Sequence, residues 1–246
     1  MAKLLYKKPM VRKEKLKFIV KWFICWLQKN RKWETFPNDY SPVKVNLGAG
    51  KVVAERWINI DSGVTVLMAT IPNWILKIGK NISTTKMERQ WMDTIMQLKE
   101  KRCYFIHYDL NYGIPLPKDF ANFIYSSHLF EHFPCAKGNI LLKECYRVLK
   151  SGGVLRVCVP DLEKLVNLYL KGERIRFLAA FFSDLRGVDE YYGKHRFMYD
   201  YSLLHKAMAD AGFKKIVLCN YQQGAVPDLK VLEVQSDVTL YVEAIK

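Results

Sequence analysis

From Val43 onwards, short apolar runs alternate with glycine, proline and acidic breaks. Val43, Val45 and Leu47 alternate with polar positions and lead into Gly48-Ala49-Gly50, which predicts a strand ending in a tight turn. Trp57-Ile58-Asn59-Ile60 predicts a second strand, stopping on Asp61. Two helices are expected next, one after Pro72 and one over Thr85 to Lys99 with Met87, Trp91, Ile95 and Leu98 on one side. Cys103 to Tyr108 and Phe120 to Tyr125 predict strands ending at Asp109 and at Ser126-Ser127-His128, with a Gly- and Pro-containing loop between them. A helix is expected over Asn139–Leu149, with Ile140, Leu141, Cys145 and Val148 facing in and Ser151-Gly152-Gly153 stopping it. A buried strand (Val154–Val159) and a helix from Asp161 to Leu170 follow. Tyr201–Ala211 predicts a helix ended by Gly212, and Phe213–Cys219 with Val238–Ala244 predicts a closing hairpin. The pattern is α/β: a doubly wound, Rossmann-like, seven-stranded and mostly parallel sheet with a C-terminal antiparallel hairpin.

Strand, glycine turn, short crossover, strand and acid form the first half of a nucleotide-binding unit. Glycines let backbone approach a ligand closely, and an acid closing the second strand can accept hydrogen bonds from two ribose hydroxyls. A plain turn with a solvated aspartate is the competing reading. Ligands of open α/β sheets bind outside the carboxyl ends of the strands. Gly48, Asp61, Asp109 and Ser127 all fall at such ends.

Composition changes this picture at the N-terminus. Of the formal charge of +15, ten units belong to Met1–Trp33, where eleven Lys and Arg meet one acid, Glu14. The remainder is only mildly basic, which argues against a whole-domain nucleic-acid footprint. Phe18–Leu27 is apolar except for Lys21, and Lys13, Lys17 and Lys21 form one stripe of a helix. The run is too short to span a bilayer, which takes about 20 apolar residues, and no small-residue cleavage site follows it. Three roles stay open for residues 13–29: lying on an anionic membrane surface, docking on the domain behind, or meeting a protein partner. The expected organisation is a basic helix and linker over residues 1–36 and one domain over 37–246, with an insertion at 64–102 that covers the cleft or forms a membrane or substrate surface. The six cysteines form no C-x-x-C pair, so neither a zinc site nor a disulfide framework is expected, and a cytoplasmic setting fits, with attachment to the inner membrane face as an option.

VNLGAG (Val45–Gly50), WINID (Trp57–Asp61), DLNYGIPLP (Asp109–Pro117), SSHLFEHF (Ser126–Phe133), LLKECYRVLKSGGVLRVCVPDL (Leu141–Leu162) and HRFMYDYSLLHKAMADAGF (His195–Phe213) together resemble the class I S-adenosylmethionine-dependent methyltransferases, in particular the type 11 kind. Within it, the nearest likeness is to members of cell-surface glycan biosynthesis. The resemblance implies that Gly48 and Gly50, with Asn46, lie by the methionine part of S-adenosylmethionine. Asp61 would hold the ribose, and Asp109 with Leu110 would meet the adenine edge. Ser126, Ser127 and His128 would line the cleft by the sulfonium. A small-molecule or glycan acceptor is implied, with His128 as a candidate catalytic residue. Separately, the aromatic and irregular stretch from Phe181 to Asp200 reads as an acceptor-binding lid or as a satellite core under a loop, with His195 as a second candidate catalytic residue and Tyr192 and Arg196 beside it at the acceptor.

Other readings compete. His128-Leu129-Phe130-Glu131-His132 matches the zinc-peptidase pattern H-x-x-E-H, but that chemistry needs both histidines on a sustained helix, and Pro134 allows only a short turn. No metal site is expected. A nicotinamide enzyme would want a third glycine near Val53 to seat a pyrophosphate. A base methyltransferase would want Asn/Asp-Pro-Pro-aromatic after the fourth strand, where Ser-Ser-His-Leu stands. An RNA methyltransferase, or a non-catalytic scaffold that keeps the fold, are the remaining alternatives.

Overall fold

The structure is a computed structural model that describes residues 41–83, 85–100, 102–182, 194–233 and 237–246. The basic helix expected at 13–29, and Tyr192, lie outside them. Seven strands form one sheet: β1 (Lys44–Leu47), β2 (Ile58–Asp61), β3 (Tyr104–His107), β4 (Ala121–Ser127), β5 (Leu149–Pro160), β6 (Lys215–Cys219) and β7 (Thr239–Ile245). Their order is β3-β2-β1-β4-β5-β7-β6. The first five run parallel, and β7 pairs antiparallel with both β5 and β6. The doubly wound sheet and closing hairpin thus stand as the apolar periodicity predicts.

The long segment between β2 and β3 folds as three helices where two were expected: α1 (Val64–Ala69), α2 (Asn73–Ile82) and α3 (Lys86–Glu100). Between β1 and β2 there is no helix, only turns over residues 48–57. That gap leaves Ala49 and Val53 needing cover, and Leu98 of α3 packs on them beside Cys103 and Phe105. Leu76 of α2 and Ile95 of α3 join Ala69 in a second cluster against Phe105. The insertion is therefore a helical layer on the β3 side of the sheet. Its outer face leaves Trp74, Ile78 and Ile82 exposed. No helix among the described residues is long and apolar enough to cross a membrane.

Beyond β4, helix α4 (Cys135–Val148) begins four residues before its expected start, because Pro134 suits a helix entry. Its buried residues are Gly138, Leu141, Leu142, Cys145 and Val148, so Ile140, expected inside, lies outside. Leu149 pairs at once with Ala121, so the helix runs straight into β5. Gly152 and Gly153 do not stop the helix; they bond the chain's last residue, through Gly152 N–H to Lys246 O at 3.0 Å and Lys246 N–H to Gly153 O at 3.0 Å. The remaining helices are α5 (Leu162–Leu170), α6 (Arg174–Ala179), α7 (Tyr201–Ala211) and α8 (Leu229–Leu232). Asp200 caps α7 by accepting from Leu203 N–H at 2.8 Å, and Gly212 at φ 113° ends it, as its sequence predicts.

One core element had no counterpart in the sequence reading. Arg156, fully buried on β5, donates to Glu233 through Nε, and through Nη1 to Glu243 Oε1 at 3.2 Å and Gln223 O at 3.0 Å. Its Nη2 donates to Asn220 O at 2.9 Å. Burial acts to lower the guanidinium pKa, but the bond to Glu233 and the charges around it prevail and raise it. A Cβ on Gly224 would stand 2.2 Å from Glu243 Oε1, so only glycine lets the chain pass this cluster.

Candidate functional site

Parallel register brings four strand ends to one edge of the sheet. Leu47 pairs with Ile60 on one side and Ser126 on the other, and Asp61 pairs with His107. The strand order reverses at β1, where a crevice forms outside the carboxyl ends. Gly48 and Gly50 turn there in the left-handed region, at φ 69° and 52°. A Cβ on Gly48 would lie 2.9 Å from Leu129 Cδ1, whereas Gly50 has open space where its side chain would be. Asp61 fastens the loop: Oδ2 accepts from Gly50 N–H at 2.9 Å, and Oδ1 accepts from Gly63 N–H at the start of α1. Asp109 caps the following turn, accepting from Asn111 N–H at 2.9 Å. The Leu110 side chain is buried in the main core, which leaves only its backbone for a ligand.

Two expected cofactor residues have buried side chains. Asn46 is buried, and its amide donates to Val52 O at 2.9 Å and Asn59 Oδ1 at 3.1 Å, so it ties the glycine loop from beneath. Ser126 is fully buried, with no hydrogen-bond partner for Oγ among the described residues. The alternation of β4 puts it on the same face as Ile124. Ser127 is half-buried.

The fit to S-adenosylmethionine is tested by what backs the glycine loop. A pyrophosphate wants a helix N-terminus there. Residues 48–57 contain none, and Val53 is buried against Leu98. The carboxylate at Asp61 and the open face of Gly50 suit a nucleoside that carries no phosphate.

The second half of the site starts at His128, which holds φ 49°, a strained setting for a residue other than glycine. Its N–H donates to Cys158 O at 2.9 Å, which pins the end of β4 to β5. His128 Nδ1 lies 3.1 Å from Glu131 Oε1. A carboxylate only accepts, so Nδ1 carries the proton and Nε2 the lone pair. Glu131 is fully buried in a short 3-10 turn at Phe130–His132. Its carbonyl accepts Arg196 N–H at 2.7 Å and Phe197 N–H at 3.2 Å, which clamps the segment carrying His195 onto the turn. His132 and His195 then meet edge to face, with ring centroids 5.0 Å apart. Tyr199 follows in the same segment; its buried phenol is pushed well up by desolvation, and by the charges of Cys135 and Glu131.

The zinc-peptidase pairing of His128 with His132 does not form. Glu131, His132 and His195 come together instead, with one potential ligand atom from each, all within 4.8 Å of one another. A cavity of about 360 Å³ opens beside them, bordered by His128, Glu131, His132 and His195, with Leu165 of α5 and Arg176 of α6 among its other walls. Arg196 is exposed.

A family described as a methyltransferase domain matches residues 70–157, from the end of α1 into β5. No characterised protein sequence matches the chain. Among solved structures, a methyltransferase of Archaeoglobus fulgidus is similar at 13% identity over 95% of this chain and 94% of its own, with a TM-score of 0.44. An S-adenosylmethionine-dependent methyltransferase of Thermotoga maritima is similar at 15% identity over 96% of each chain, with a TM-score of 0.46. An O-methyltransferase candidate of Nostoc punctiforme shares 15% identity over 95% of this chain, which spans 58% of its length, with a TM-score of 0.46. Residues 70–157 are thus similar to a methyltransferase domain, and the glycine loop and Asp61, which lie ahead of that stretch, are suited to the same chemistry.

Proposed function

We propose that the chain methylates a small molecule or a glycan precursor seated in the cavity beside His128 and His195, at an anionic membrane surface. The observation that carries the acceptor side is the His128–Glu131 pair on the cavity wall. Bound S-adenosylmethionine supplies a methyl group already activated on sulfur. The work left to the chain is to hold the two substrates in line and to take a proton from the acceptor. Asp61 and Asp109 are the cofactor's proposed anchors, with Gly48 and Gly50 giving the close approach. Glu131 fixes the tautomer of His128, so that Nε2 is the ring's proton acceptor.

The His128→Ala variant is expected to slow methyl transfer roughly 100-fold or more while cofactor affinity stays unchanged. The measurement is transfer of labelled methyl from S-adenosylmethionine to a panel of hydroxyl-bearing glycans and small molecules, alongside calorimetric titration of the cofactor. Full activity would remove His128 as the base.

The membrane part of the reading draws on the +10 charge of Met1–Trp33 and on the exposed Trp74, Ile78 and Ile82 of α2, which are interleaved with Lys77 and Lys80. Removal of residues 1–33 is expected to lower cosedimentation with vesicles rich in anionic lipid. Equal sedimentation would favour docking of that segment on the domain.

A further inference from the structure

We propose that Glu131, His132 and His195 bind one divalent first-row transition-metal ion, and that its open coordination position takes an oxygen donor of the acceptor. The inference rests on the methyltransferase reading only for the role of the ion, not for its binding.

Three features carry it. The first is the donor set: two imidazoles and one carboxylate, each with a ligand atom within 4.8 Å of the others. Ligands about 2.1 Å from an ion stand about 3–3.5 Å apart, so small side-chain rotations would close the set. The second is orientation. His132 Nδ1 lies 3.1 Å from the carbonyl of Lys194, 62 residues further along. A carbonyl only accepts, so Nδ1 is protonated and Nε2 presents its lone pair, as in metal sites whose histidines are held by a carbonyl. The third is Glu131 itself. Its side chain is fully buried; Oε1 is engaged by His128, and Oε2 has no hydrogen-bond partner among the described residues. An unpaired carboxylate oxygen in such a place is costly, and a cation would satisfy it.

Three protein ligands leave at least one position open, which is the pattern of catalytic rather than structural sites. Two nitrogens and one oxygen suit Zn2+, Co2+ or Fe2+ better than Mg2+ or Ca2+. With one carboxylate against two positive charges, the bound ion keeps a net positive charge on the cavity wall. That favours an acceptor hydroxyl or phenol, and so methylation at oxygen.

The test uses the purified full chain, stripped with a chelator and titrated with Co2+ under visible spectroscopy, then with Zn2+ by calorimetry. The expected result is one Co2+ per chain, with absorption bands of a four- or five-coordinate ion that Zn2+ displaces. His132→Gln and His195→Gln should each weaken Co2+ binding beyond the roughly 10–100-fold that loss of a merely orienting residue costs. Both variants should bind S-adenosylmethionine as the parent does, which also shows that they fold. Absence of Co2+ binding by the parent, or unchanged affinity in His195→Gln, would overturn the site. Co2+ binding without S-adenosylmethionine binding would leave the metal site standing and sink the methyltransferase reading. The reverse result would do the opposite.

Discussion

Replacing Asp61 with alanine is expected to raise the dissociation constant for S-adenosylmethionine at least 100-fold, beyond ready detection by calorimetry. A hydrogen bond to a charged acceptor contributes about 1.5–3 kcal/mol, and two ribose hydroxyls on one carboxylate would therefore contribute about 3–6 kcal/mol. Asp61 also acts without any ligand: it holds Gly50 N–H at 2.9 Å and Gly63 N–H, so the alanine variant loses the shape of the glycine loop as well as an acceptor. Asp61→Asn separates the two effects. Its amide keeps one oxygen for the loop but removes the charge and an acceptor, so affinity should fall less than with alanine. Unchanged affinity in Asp61→Ala would move the ribose site away from β2.

Replacing Arg156 with methionine is expected to destabilise the fold by about 3–5 kcal/mol, read from the midpoint of a urea transition. The guanidinium bridges two acids that themselves hold backbone. Glu233 Oε2 accepts Gln222 N–H at 2.6 Å, and Glu243 Oε2 accepts Ala225 N–H at 2.8 Å. Removing the cation leaves both carboxylates buried, with backbone N–H groups (Val226 N–H to Glu243 Oε1 at 3.2 Å among them) and the Cys158 thiol to answer them but no positive charge. The loop over residues 220–233 would lose its attachment to β5 and β7 together. Loss of less than about 1 kcal/mol would mean that water reaches the cluster and replaces the arginine. The site lies on β1 to β4, away from this cluster, so a variant that stays folded should retain cofactor affinity.

What could be read along the chain was what neighbouring residues decide together. Alternating Val45 and Leu47 before Gly48, apolar Ile58 and Ile60 before Asp61, and Gly212 ending a helix are local signals, and each stands in the structure. Capping and periodicity act within a turn or two, so the sequence by itself determined these elements and the parallel sheet they build. It also placed Gly48, Asp61, Asp109 and His128 at strand ends, because period and turn position are enough for that. Whether a side chain at such an end faces the cleft depends on what packs around it. Asn46, expected at the cofactor, has its side chain held under the loop by Val52 and Asn59, which its place in the sequence did not show. For Ser126, the burial of β4 on both faces hides which side of the strand meets a ligand. Only the tertiary structure decided that the inserted helices stand in for a helix missing between β1 and β2, that one arginine serves two distant glutamates, and that His195 arrives beside Glu131 and His132. The physical reason is common to all three: those contacts join segments far apart in the chain, and only the order in which the strands assemble brings them together.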